Sequence, residues 1–291
     1  MVRRHKNDKR RHLKKTDSSG ELTPIGRDRR KLWTAKSDIL YGYHSVYEAL
    51  KAGRRQFESL VCSPRRCDPR MEKITALAGK KRIAVNVASM VELDEMAGGG
   101  NHQGICAVVS QFPMTPAGDI WSILEKRREK GNDPFFVLLL ESIEDPHNMG
   151  ALIRTGLCAG VDYIVIPKDR SAQPSAGVSR SSAGAMEHAN IFVATNLAAF
   201  MRELKASGAW ISGLDAGGKK SVFEAELTGD LALVVGGEHK GLRPGVRKEC
   251  DFILSIPILG GVNSLNASVA GGIAMYEARR QRGWGGFGFK A

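Results

Sequence analysis

The chain has 291 residues, of which 42% are apolar and 25% are charged, a composition typical of a globular protein with room for two domains. Its net charge of +12 favours a polyanionic partner such as nucleic acid. The longest apolar runs, such as residues 135–140, are too short to cross a bilayer, and the charged N-terminus lacks the apolar core of a signal peptide. The sequence therefore predicts a protein without a membrane span.

The basic excess is concentrated at the N-terminus. Residues 1–37 contain 13 Lys and Arg side chains against 4 Asp and Glu side chains. We predict that residues 1–38 form a disordered basic tail that attracts phosphate groups in a salt-dependent way. A solubilising tail without a partner is the alternative. A mitochondrial presequence is disfavoured, because acidic residues interrupt the segment and no apolar face develops.

Apolar periodicity next predicts a small α/β domain over residues 39–112. A helix with Val46, Ala49 and Leu50 on one face opens it. Predicted strands follow at 60–62, 83–87 and 104–109, with helices at 71–78 and 91–96 between them. Residues 113–133 are charged and contain proline, so we interpret them as a linker with one helix at 120–130.

A second α/β alternation is predicted over residues 134–283, followed by a glycine- and aromatic-rich tail at 284–291. Its buried strands are predicted at 135–140, 163–167, 191–193, 210–214, 231–235 and 252–256, with helices between them and a last helix at 266–280. Short apolar strands that alternate with helices favour a mainly parallel sheet covered on both faces.

The five cysteines give no sign of a metal site or a disulfide framework. They stand at positions 62, 67, 106, 158 and 250, an odd number with no Cys or His partners at zinc-site spacing. We interpret them as reduced, mostly buried thiols of a cytoplasmic protein that holds no metal.

Three segments of the second domain place small polar residues directly after an apolar strand, where open α/β sheets bind ligands. The first, residues 141–154, contains Asn148 near a helix cap and Arg154 six positions later. Alone, it is explained as a capped helix with a solvated arginine. The second, residues 234–242, contains Gly236, Gly237 and Glu238, and its glycines permit close backbone approach to a ligand or another segment. It matches neither a P-loop nor a dinucleotide fingerprint.

The third segment, residues 256–268, leads into the last helix. Ser264 and Asn266 are favourable N-cap residues. The helix contains Gly271 and Gly272, each of which costs about 1 kcal/mol relative to alanine, and close packing against another helix would offset that cost. A capped, tightly packed helix is a sufficient explanation of this segment when it is taken alone.

Taken together, the segments are more specific. The patterns Asn-x-Gly-x-x-x-Arg, Gly-Gly-Glu-x-x-Gly-Leu and Ile-Pro-x-x-Gly-x-x-x-Ser-Leu-Asn-x-Ser occur in this order. Their combination resembles the SpoU (TrmH) family of RNA ribose methyltransferases over residues 135–282, and residues 182–188 are also similar to that family. Residues 40–112, with Tyr41-Gly42 and His102-Gln103-Gly104-Ile105, resemble the L30e-like RNA-binding domain of the 23S rRNA guanosine-2′-O branch.

The resemblance implies a SPOUT-type parallel sheet with a deep C-terminal trefoil knot, in which the glycines at 236, 237, 260 and 261 would be crowded. It implies S-adenosylmethionine as the cofactor, held by backbone groups of Gly236, Ile256 and Leu265. It also implies a homodimer through the knot region, with the last helix as the interface candidate, and RNA, most often rRNA, as the partner.

The resemblance further implies transfer of a methyl group to a ribose 2′-hydroxyl, with a guanosine of 23S rRNA as the favoured target. The catalytic positions carried over are Arg154, Asn148, Glu238, Ser264 and Asn266. Because arginine stays protonated, we expect Arg154 to position the hydroxyl and stabilise negative charge rather than to act as a base. His239 stands where many relatives have glycine, and we interpret it as a tolerated loop residue, with contact to the substrate as the alternative.

Two other functions stay open from the sequence. One is a tRNA 2′-O-methyltransferase, which the N-terminal domain disfavours, because tRNA-specific relatives generally lack it. The other is a non-catalytic RNA-binding or ribosome-assembly factor, for which the basic tail and the first domain would suffice. A dinucleotide-binding dehydrogenase is excluded by the missing glycine fingerprint.

Overall fold

The computed structural model describes residues 37–64, 69–131, 134–237 and 241–284. The chain divides into two compact units between Gln111 and Phe112. Apart from Ser37 and Asp38, the predicted basic tail lies outside the described residues, and so does the predicted C-terminal tail apart from Trp284.

The first unit is a four-stranded sheet with three helices. Its elements are β1 (Ser37–Tyr41), α1 (Tyr43–Ala52), β2 (Phe57–Cys62), α2 (Pro69–Lys80), β3 (Val85–Val87), α3 (Met90–Met96) and β4 (Ile105–Ser110). The strand order is β1-β4-β2-β3, with β4 antiparallel to both of its neighbours and β3 parallel to β2. Strand β1 begins two residues before the predicted domain start, because Ser37 already pairs with Ser110.

The motif at residues 102–105 builds the start of α1. The Gln103 Oε1 atom accepts a hydrogen bond from the Tyr43 backbone N–H at 3.0 Å, which satisfies a donor at the helix start. Buried His102 accepts from the Gly104 N–H through Nδ1 at 3.0 Å, and its Nε2 lies 3.0 Å from Asp94 Oδ1. His102 is thus a structural residue whose two ring nitrogens are both bonded.

The second unit is built on one large sheet. Its elements are β5 (Thr115–Pro116), α4 (Ile120–Glu129), β6 (Phe136–Glu141), α5 (Pro146–Cys158), β7 (Tyr163–Pro167), α6 (Ala176–Ser181), β8 (Ile191–Ala194), α7 (Leu197–Ala206), β9 (Trp210–Leu214), β10 (Lys220–Ser221), β11 (Leu231–Gly236), α8 (Pro244–Glu249), β12 (Phe252–Ser255) and α9 (Ala267–Gln281). The order is β10-β12-β9-β11-β6-β7-β8-β5, and every neighbouring pair is parallel.

The large sheet is buried on both faces, as its continuous apolar strands predict. Along β6, Leu138 and Leu140 face a core that includes α5 and α9, whereas Val137 and Leu139 face a core that includes α4 and α7. The prediction of an α/β unit with a parallel sheet is confirmed.

Residues 113–131, predicted to form a linker, belong to the second unit in the structure. Strand β5 pairs with β8 at the edge of the large sheet, and Ile120 and Leu124 of α4 are buried in the core beneath it. A charged exterior on α4 concealed this apolar face, since Lys126, Arg127 and Arg128 follow one another in its last turn.

The described residues contain no membrane-spanning helix, metal-binding cluster or disulfide. None of the described helices is long and apolar enough to cross a membrane, and no cluster of three His, Cys, Asp or Glu side chains in the described ranges could hold a metal. The four described cysteines are free thiols. Burial raises the pKa of Cys62, Cys106 and Cys250 to about 12, so these three thiols stay protonated at neutral pH.

Candidate active site

The three polar segments found in the sequence follow β6, β11 and β12. Strands β6 and β11 are neighbours, and β9 separates β11 from β12. Because all of these strands are parallel, their carboxyl ends lie at one edge of the sheet, where open α/β sheets bind ligands. We call this the carboxyl edge.

The first segment enters helix α5 with Asn148 near the cap, as predicted. The N-cap itself is Asp145, whose Oδ1 accepts a hydrogen bond from the His147 N–H at 3.0 Å. Pro146 takes the first helical position, for which its fixed φ is suited. Asn148 therefore lies within the first turn of α5, and Asp145 has the capping role.

The first and third segments meet through two amides. The Asn266 Nδ2 atom donates a hydrogen bond to Asn148 Oδ1 at 3.0 Å, across 118 positions of sequence. Asn266 is also the N-cap of α9, since its Oδ1 accepts from the Ser268 N–H at 2.9 Å and the Val269 N–H at 3.3 Å. The prediction that Asn266 caps the last helix is confirmed, and the same side chain joins two segments of the site.

The second segment packs against the first through its glycines. A β-carbon at Gly237 would lie 2.2 Å from the Ser142 carbonyl oxygen, so only glycine permits this backbone approach. The Gly241 N–H donates to the Gly237 carbonyl at 3.0 Å. Ser142 has a φ of 54°, a left-handed conformation that is costly outside glycine.

An ion pair between a buried glutamate and a partly exposed arginine, at the end of β6, was not predicted from the sequence. Glu141, the last residue of β6, is fully buried, and its two carboxylate oxygens accept from Arg243 Nε and Nη2, the latter at 3.1 Å. The hydrogen bond to Glu141 raises the pKa of Arg243 above its ordinary value. The available signal was a glutamate that ends an otherwise apolar strand, since a buried carboxylate needs a partner.

Arg154 stands apart from the other site residues. It is exposed on α5, and it makes no hydrogen bond or ion pair with any described residue. Six residues of helix place it about 9 Å along the axis from Asn148. Its guanidinium is therefore available to a substrate, but the structure does not bring it into contact with Asn148 or Asn266.

The third segment is exposed from Pro257 to Asn266, except for half-buried Ile258. Within the described chain, residues 256–265 make no hydrogen bond, so their backbone donors and acceptors are available to a ligand. Ser264 and Leu265 are exposed, whereas Ile256 packs partly against the core. The expected crowding is wrong for Gly260 and Gly261, whose added β-carbons would meet nothing within 4 Å, and it holds for Gly236 and Gly237.

Two of the predicted positions of interest, Glu238 and His239, lie outside the described residues.

Helix α9 is held to the site by close packing on α5. A β-carbon at Gly271 would lie 2.4 Å from Leu152 Cδ2 and 3.2 Å from a methyl group of Val235. At Gly272 the nearest atom would be Thr155 Cγ2, at an ordinary 3.6 Å. The predicted close packing is thus confirmed for Gly271, and Gly272 is not required by it.

The stretch at residues 182–188 supports α5 from its other side. Ser179 Oγ donates to the buried Glu187 carboxylate at 2.8 Å, and Ser182 Oγ accepts from the Met186 N–H at 3.2 Å. Gly150 of α5 lies against this stretch, because its added β-carbon would be 2.7 Å from the Ser182 nitrogen. The stretch therefore positions the helix that carries Asn148 and Arg154.

A second concave region lies at the opposite edge of the sheet. This cleft of about 440 Å³ is lined by Arg127, Arg128, Pro134, Phe135, Gly208, Trp210, Gly229 and Asp230, at the amino ends of the strands. Arg127 pairs with Asp162 and Arg128 pairs with Asp230. Because its arginines are already paired within the fold, the cleft is a weaker candidate than the carboxyl edge.

Comparison with known proteins agrees with this geometry. The family model described as SpoU rRNA Methylase family matches residues 135–276, which include all three segments of the carboxyl edge. A second model, described as RNA 2′-O ribose methyltransferase substrate binding, matches residues 39–115.

Two curated relatives match most of the chain. The 23S rRNA (guanosine-2′-O-)-methyltransferase RlmB of Pectobacterium atrosepticum is 38% identical over 247 residues, which cover 85% of this chain and 99% of the relative. The protein of the same name from Escherichia coli is 36% identical over 246 residues, which cover 84% and 99%. The chain belongs to the SpoU rRNA methylase family.

A solved structure agrees with the SpoU fold. The SpoU methyltransferase AviRb from Streptomyces viridochromogenes, in complex with the cofactor AdoMet, has a TM-score of 0.68 and 22% identity, and the match covers 88% of this chain and 94% of that chain. As a SpoU family member, the protein is an RNA ribose 2′-O-methyltransferase that uses S-adenosylmethionine.

The carboxyl edge fits that cofactor. The backbone groups of residues 256–265 have no partners within the described chain, and the glycines at 236 and 237 present bare backbone beside them. A methyl donor with a purine and a sulfonium needs such a mixture of backbone hydrogen bonds and apolar contact.

Proposed function

We propose that this SpoU family member methylates the ribose 2′-oxygen of a guanosine in 23S rRNA. The relatives' names supply the target, and one observation carries the site: the hydrogen bond between Asn148 and Asn266 joins two segments that follow different strands at the carboxyl edge. The approach of Gly237 to Ser142 adds the remaining segment to the same place.

Backbone groups of Gly236, Ile256 and Leu265 would hold the cofactor. Bound S-adenosylmethionine supplies an electrophilic methyl group on a sulfonium. Leu265 is exposed and Ile256 is half-buried, so both present apolar surface next to unbonded backbone. The protein's own contribution is to bind and orient the donor and to bring a ribose hydroxyl to it.

Arg154 would act on the RNA. A ribose hydroxyl must lose its proton as its oxygen attacks, and an arginine, which stays protonated, cannot accept that proton. An exposed guanidinium that has no partner among the described residues is instead suited to bind the adjoining phosphate, orient the 2′-hydroxyl and stabilise developing negative charge. Asn148, Ser264 and Asn266 would complete the site, and the proton acceptor would be Glu238, the substrate phosphate or water.

Arg154→Ala tests this role. We expect methyl transfer to an in vitro 23S rRNA transcript to fall by about a hundredfold or more, as for loss of one stabilising donor, while calorimetry gives an unchanged affinity for S-adenosylmethionine. The matched control is Arg202→Ala, which removes an exposed arginine from α7 and should leave transfer unchanged. Near-normal turnover by Arg154→Ala with unchanged RNA affinity would contradict the role.

The target is tested in cells. Mapping of 2′-O-methyl groups in total RNA, with and without the protein, should show the loss of one guanosine modification in 23S rRNA. Loss of a tRNA modification would favour the tRNA alternative. Wild-type protein that binds RNA but neither binds nor consumes S-adenosylmethionine would favour the non-catalytic factor.

The proposal includes the finer architecture of the family. The chain must cross from β12, beyond β9, back to α9, which packs against α5 and β11, and this return path supports a trefoil knot at the carboxyl edge. The mixed sheet with helices supports an L30e-like first domain. The proposed domains span residues 39–112 and 134–283, and the described residues of the segment between them belong to the second compact unit. We also propose a cytoplasmic location.

The homodimer is also part of the proposal. Val269 and Tyr276 are exposed on one side of α9, with half-buried Ile273 between them, and Leu157 is exposed on the neighbouring helix α5. Exposed apolar side chains that cluster on one helix face are typical of an interface. Tyr276→Glu should shift the sedimentation coefficient to that of a monomer, and an unchanged dimer would contradict this choice of interface.

A further inference from the structure

Helix α1 of the first unit carries a row of aromatic and cationic side chains outside its core. Its buried face consists of Ser45, Val46, Ala49 and Leu50. Tyr43, Tyr47 and Lys51 follow one another at intervals of four residues and therefore lie in one line on the helix surface. Arg70, in the first turn of α2, reaches the same line, because α1 and α2 pack together. We call these four side chains the tyrosine ridge.

The ridge is an ordered stack. The rings of Tyr43 and Tyr47 are nearly parallel, with an interplanar angle of 11° and centroids 5.5 Å apart. Arg70 Cζ lies 5.7 Å from the Tyr43 centroid, and Lys51 Nζ lies 5.5 Å from the Tyr47 centroid. A cation thus stands at each end of two stacked rings.

The position of the ridge is fixed by the motif at residues 102–105. Gln103 Oε1 accepts from the Tyr43 N–H at 3.0 Å, at the residue where the stack begins. The His44 ring meets Tyr43 edge-on at 5.1 Å and is itself exposed. The two rings are therefore held in place before any partner arrives, which lowers the entropic cost of binding to them.

Charge favours RNA as the partner. Helices α1 and α2 together carry four Lys and Arg side chains and two Glu side chains. The Lys51 side chain is 50% exposed and is ion-paired with Glu48, Nζ to Oε2 at 3.3 Å, and Arg70 is exposed. Both cations are accessible to a phosphate, which would compete with their present partners. Flat aromatic faces bracketed by mobile cations are how proteins bind unpaired bases together with their backbone.

The rings of Tyr43 and Tyr47 are half-buried, and an exposed aromatic pair elsewhere in the protein lacks the features of the ridge. Trp210 and Phe252 of the large sheet are tilted by 36° with centroids 5.6 Å apart, and Lys220 lies over Phe252. This pair offers no parallel platform, and it lies outside residues 39–115, which match the substrate-binding family model. It provides a matched control.

We propose that the tyrosine ridge binds an unpaired segment of the RNA substrate by base stacking, away from the methylated nucleotide. This assignment rests on the proposed function, because it takes the RNA substrate as the partner. It predicts that the ridge contributes to the affinity for RNA and not to the chemistry.

The test uses the full-length protein, an in vitro 23S rRNA transcript and a fluorescein-labelled single-stranded adenosine 12-mer. The double variant Tyr43→Leu/Tyr47→Leu keeps apolar bulk but removes both rings. We expect its Kd for both RNAs and its KM for the transcript to rise by about tenfold or more, as for the loss of one stacked base. The kcat and the affinity for S-adenosylmethionine should change by less than about twofold.

Three variants sharpen the result. Tyr47→Phe keeps the ring and should retain wild-type affinity. Lys51→Gln should lower the dependence of log Kd on log salt by about one, because one phosphate contact is lost. Trp210→Leu should leave RNA binding unchanged. Circular dichroism melting of each variant establishes that it is folded.

The outcomes separate the ridge from the proposed function. Folded double-variant protein that binds both RNAs like the wild type would overturn the ridge, and so would an equal loss of affinity in Trp210→Leu. If the wild type transfers no methyl group to any RNA but ridge variants still weaken RNA binding, the proposed function fails and the ridge stands.

Discussion

Two parts of the carboxyl edge are built in opposite ways. At the ends of β6 and β11, Glu141 is buried and paired with Arg243, and Gly237 lies against the backbone of Ser142. We call these residues the fixed part of the edge. Residues 256–265, which we call the open part, are largely exposed and make no hydrogen bond within the described chain. Among the described residues, only Asn266 at the end of the open part is hydrogen-bonded to the fixed side, through Asn148. If the carboxyl edge holds the cofactor as we propose, half of the site exists before binding and the other half takes its contacts from the ligand.

The largest expected effect comes from removing the ion pair beneath the fixed part. Arg243→Ala leaves the buried Glu141 carboxylate without its cationic partner, and an unsatisfied buried charged acceptor costs roughly 3 kcal/mol. We expect urea unfolding to report a loss of this size. Affinity for S-adenosylmethionine should fall with it, since the loops at the ends of β6 and β11 lose their common anchor.

The control is the exposed pair of Arg202 and Glu249, whose arginine side chain is 58% exposed. Arg202→Ala should change the free energy of unfolding by less than about 1 kcal/mol, as surface pairs do. Equal effects of the two substitutions would mean that the buried pair does not anchor the site.

The next effect concerns the open part. Its amides have no hydrogen bonds within the described chain and should exchange with solvent at close to their intrinsic rates. Cofactor at a hundred times its Kd should slow exchange in peptides from 256–265 by up to about a hundredfold, while peptides from β6 and β11 change little. Slow amide exchange of residues 256–265 in the cofactor-free protein, measured by mass spectrometry, would contradict the difference between the two parts.

A pair of glycines gives a smaller effect. Gly237→Ala places a β-carbon 2.2 Å from the Ser142 carbonyl oxygen, so one of two backbones must move, at a cost of about 2 kcal/mol. Gly260→Ala, in the open part, meets nothing within 4 Å and should change stability by less than about 0.5 kcal/mol. Both are measured by urea unfolding. If Gly260→Ala is as costly as Gly237→Ala, the open part is more constrained than its contacts indicate.

The same contrast explains what the sequence predicts and what it leaves out. Asn266 as an N-cap is predictable, because capping is local and depends on residue type. The buried strands were predictable from their apolar runs. The cap of α5 was predicted only to lie near Asn148, since Asp145 and Asn148 are both good capping residues and only the preference of Pro146 for the first helical position decides between them.

Contacts across long stretches of sequence were not predictable. Glu141 and Arg243 are 102 positions apart, and no local pattern couples an acidic strand end to the start of a later helix. Glycine identity was likewise insufficient, because Gly237 is needed for a close approach whereas Gly260 stands in open space. Two-residue strands such as β5 are too short to show alternation, and they are recognisable only once β8 provides a partner.

The smallest predicted effect concerns the hydrogen bond between Asn266 and Asn148, which joins the two parts. Asn266 has two roles, because its Oδ1 caps α9 and its Nδ2 donates to Asn148. Asn266→Ser keeps an N-cap of equal quality but has no amide to reach Asn148, so unfolding should lose only about 1 kcal/mol, the worth of one hydrogen bond.

Asn266→Ala loses the cap as well and should cost roughly 1 kcal/mol more. The two variants therefore differ in helix stability but share the lost connection to Asn148. If that connection positions residues 256–265 for the cofactor, both variants should weaken the affinity for S-adenosylmethionine to the same extent in calorimetry. An affinity that instead follows the stability of α9, falling only in Asn266→Ala, would mean that the cap and not the bond to Asn148 prepares the open part for its ligand.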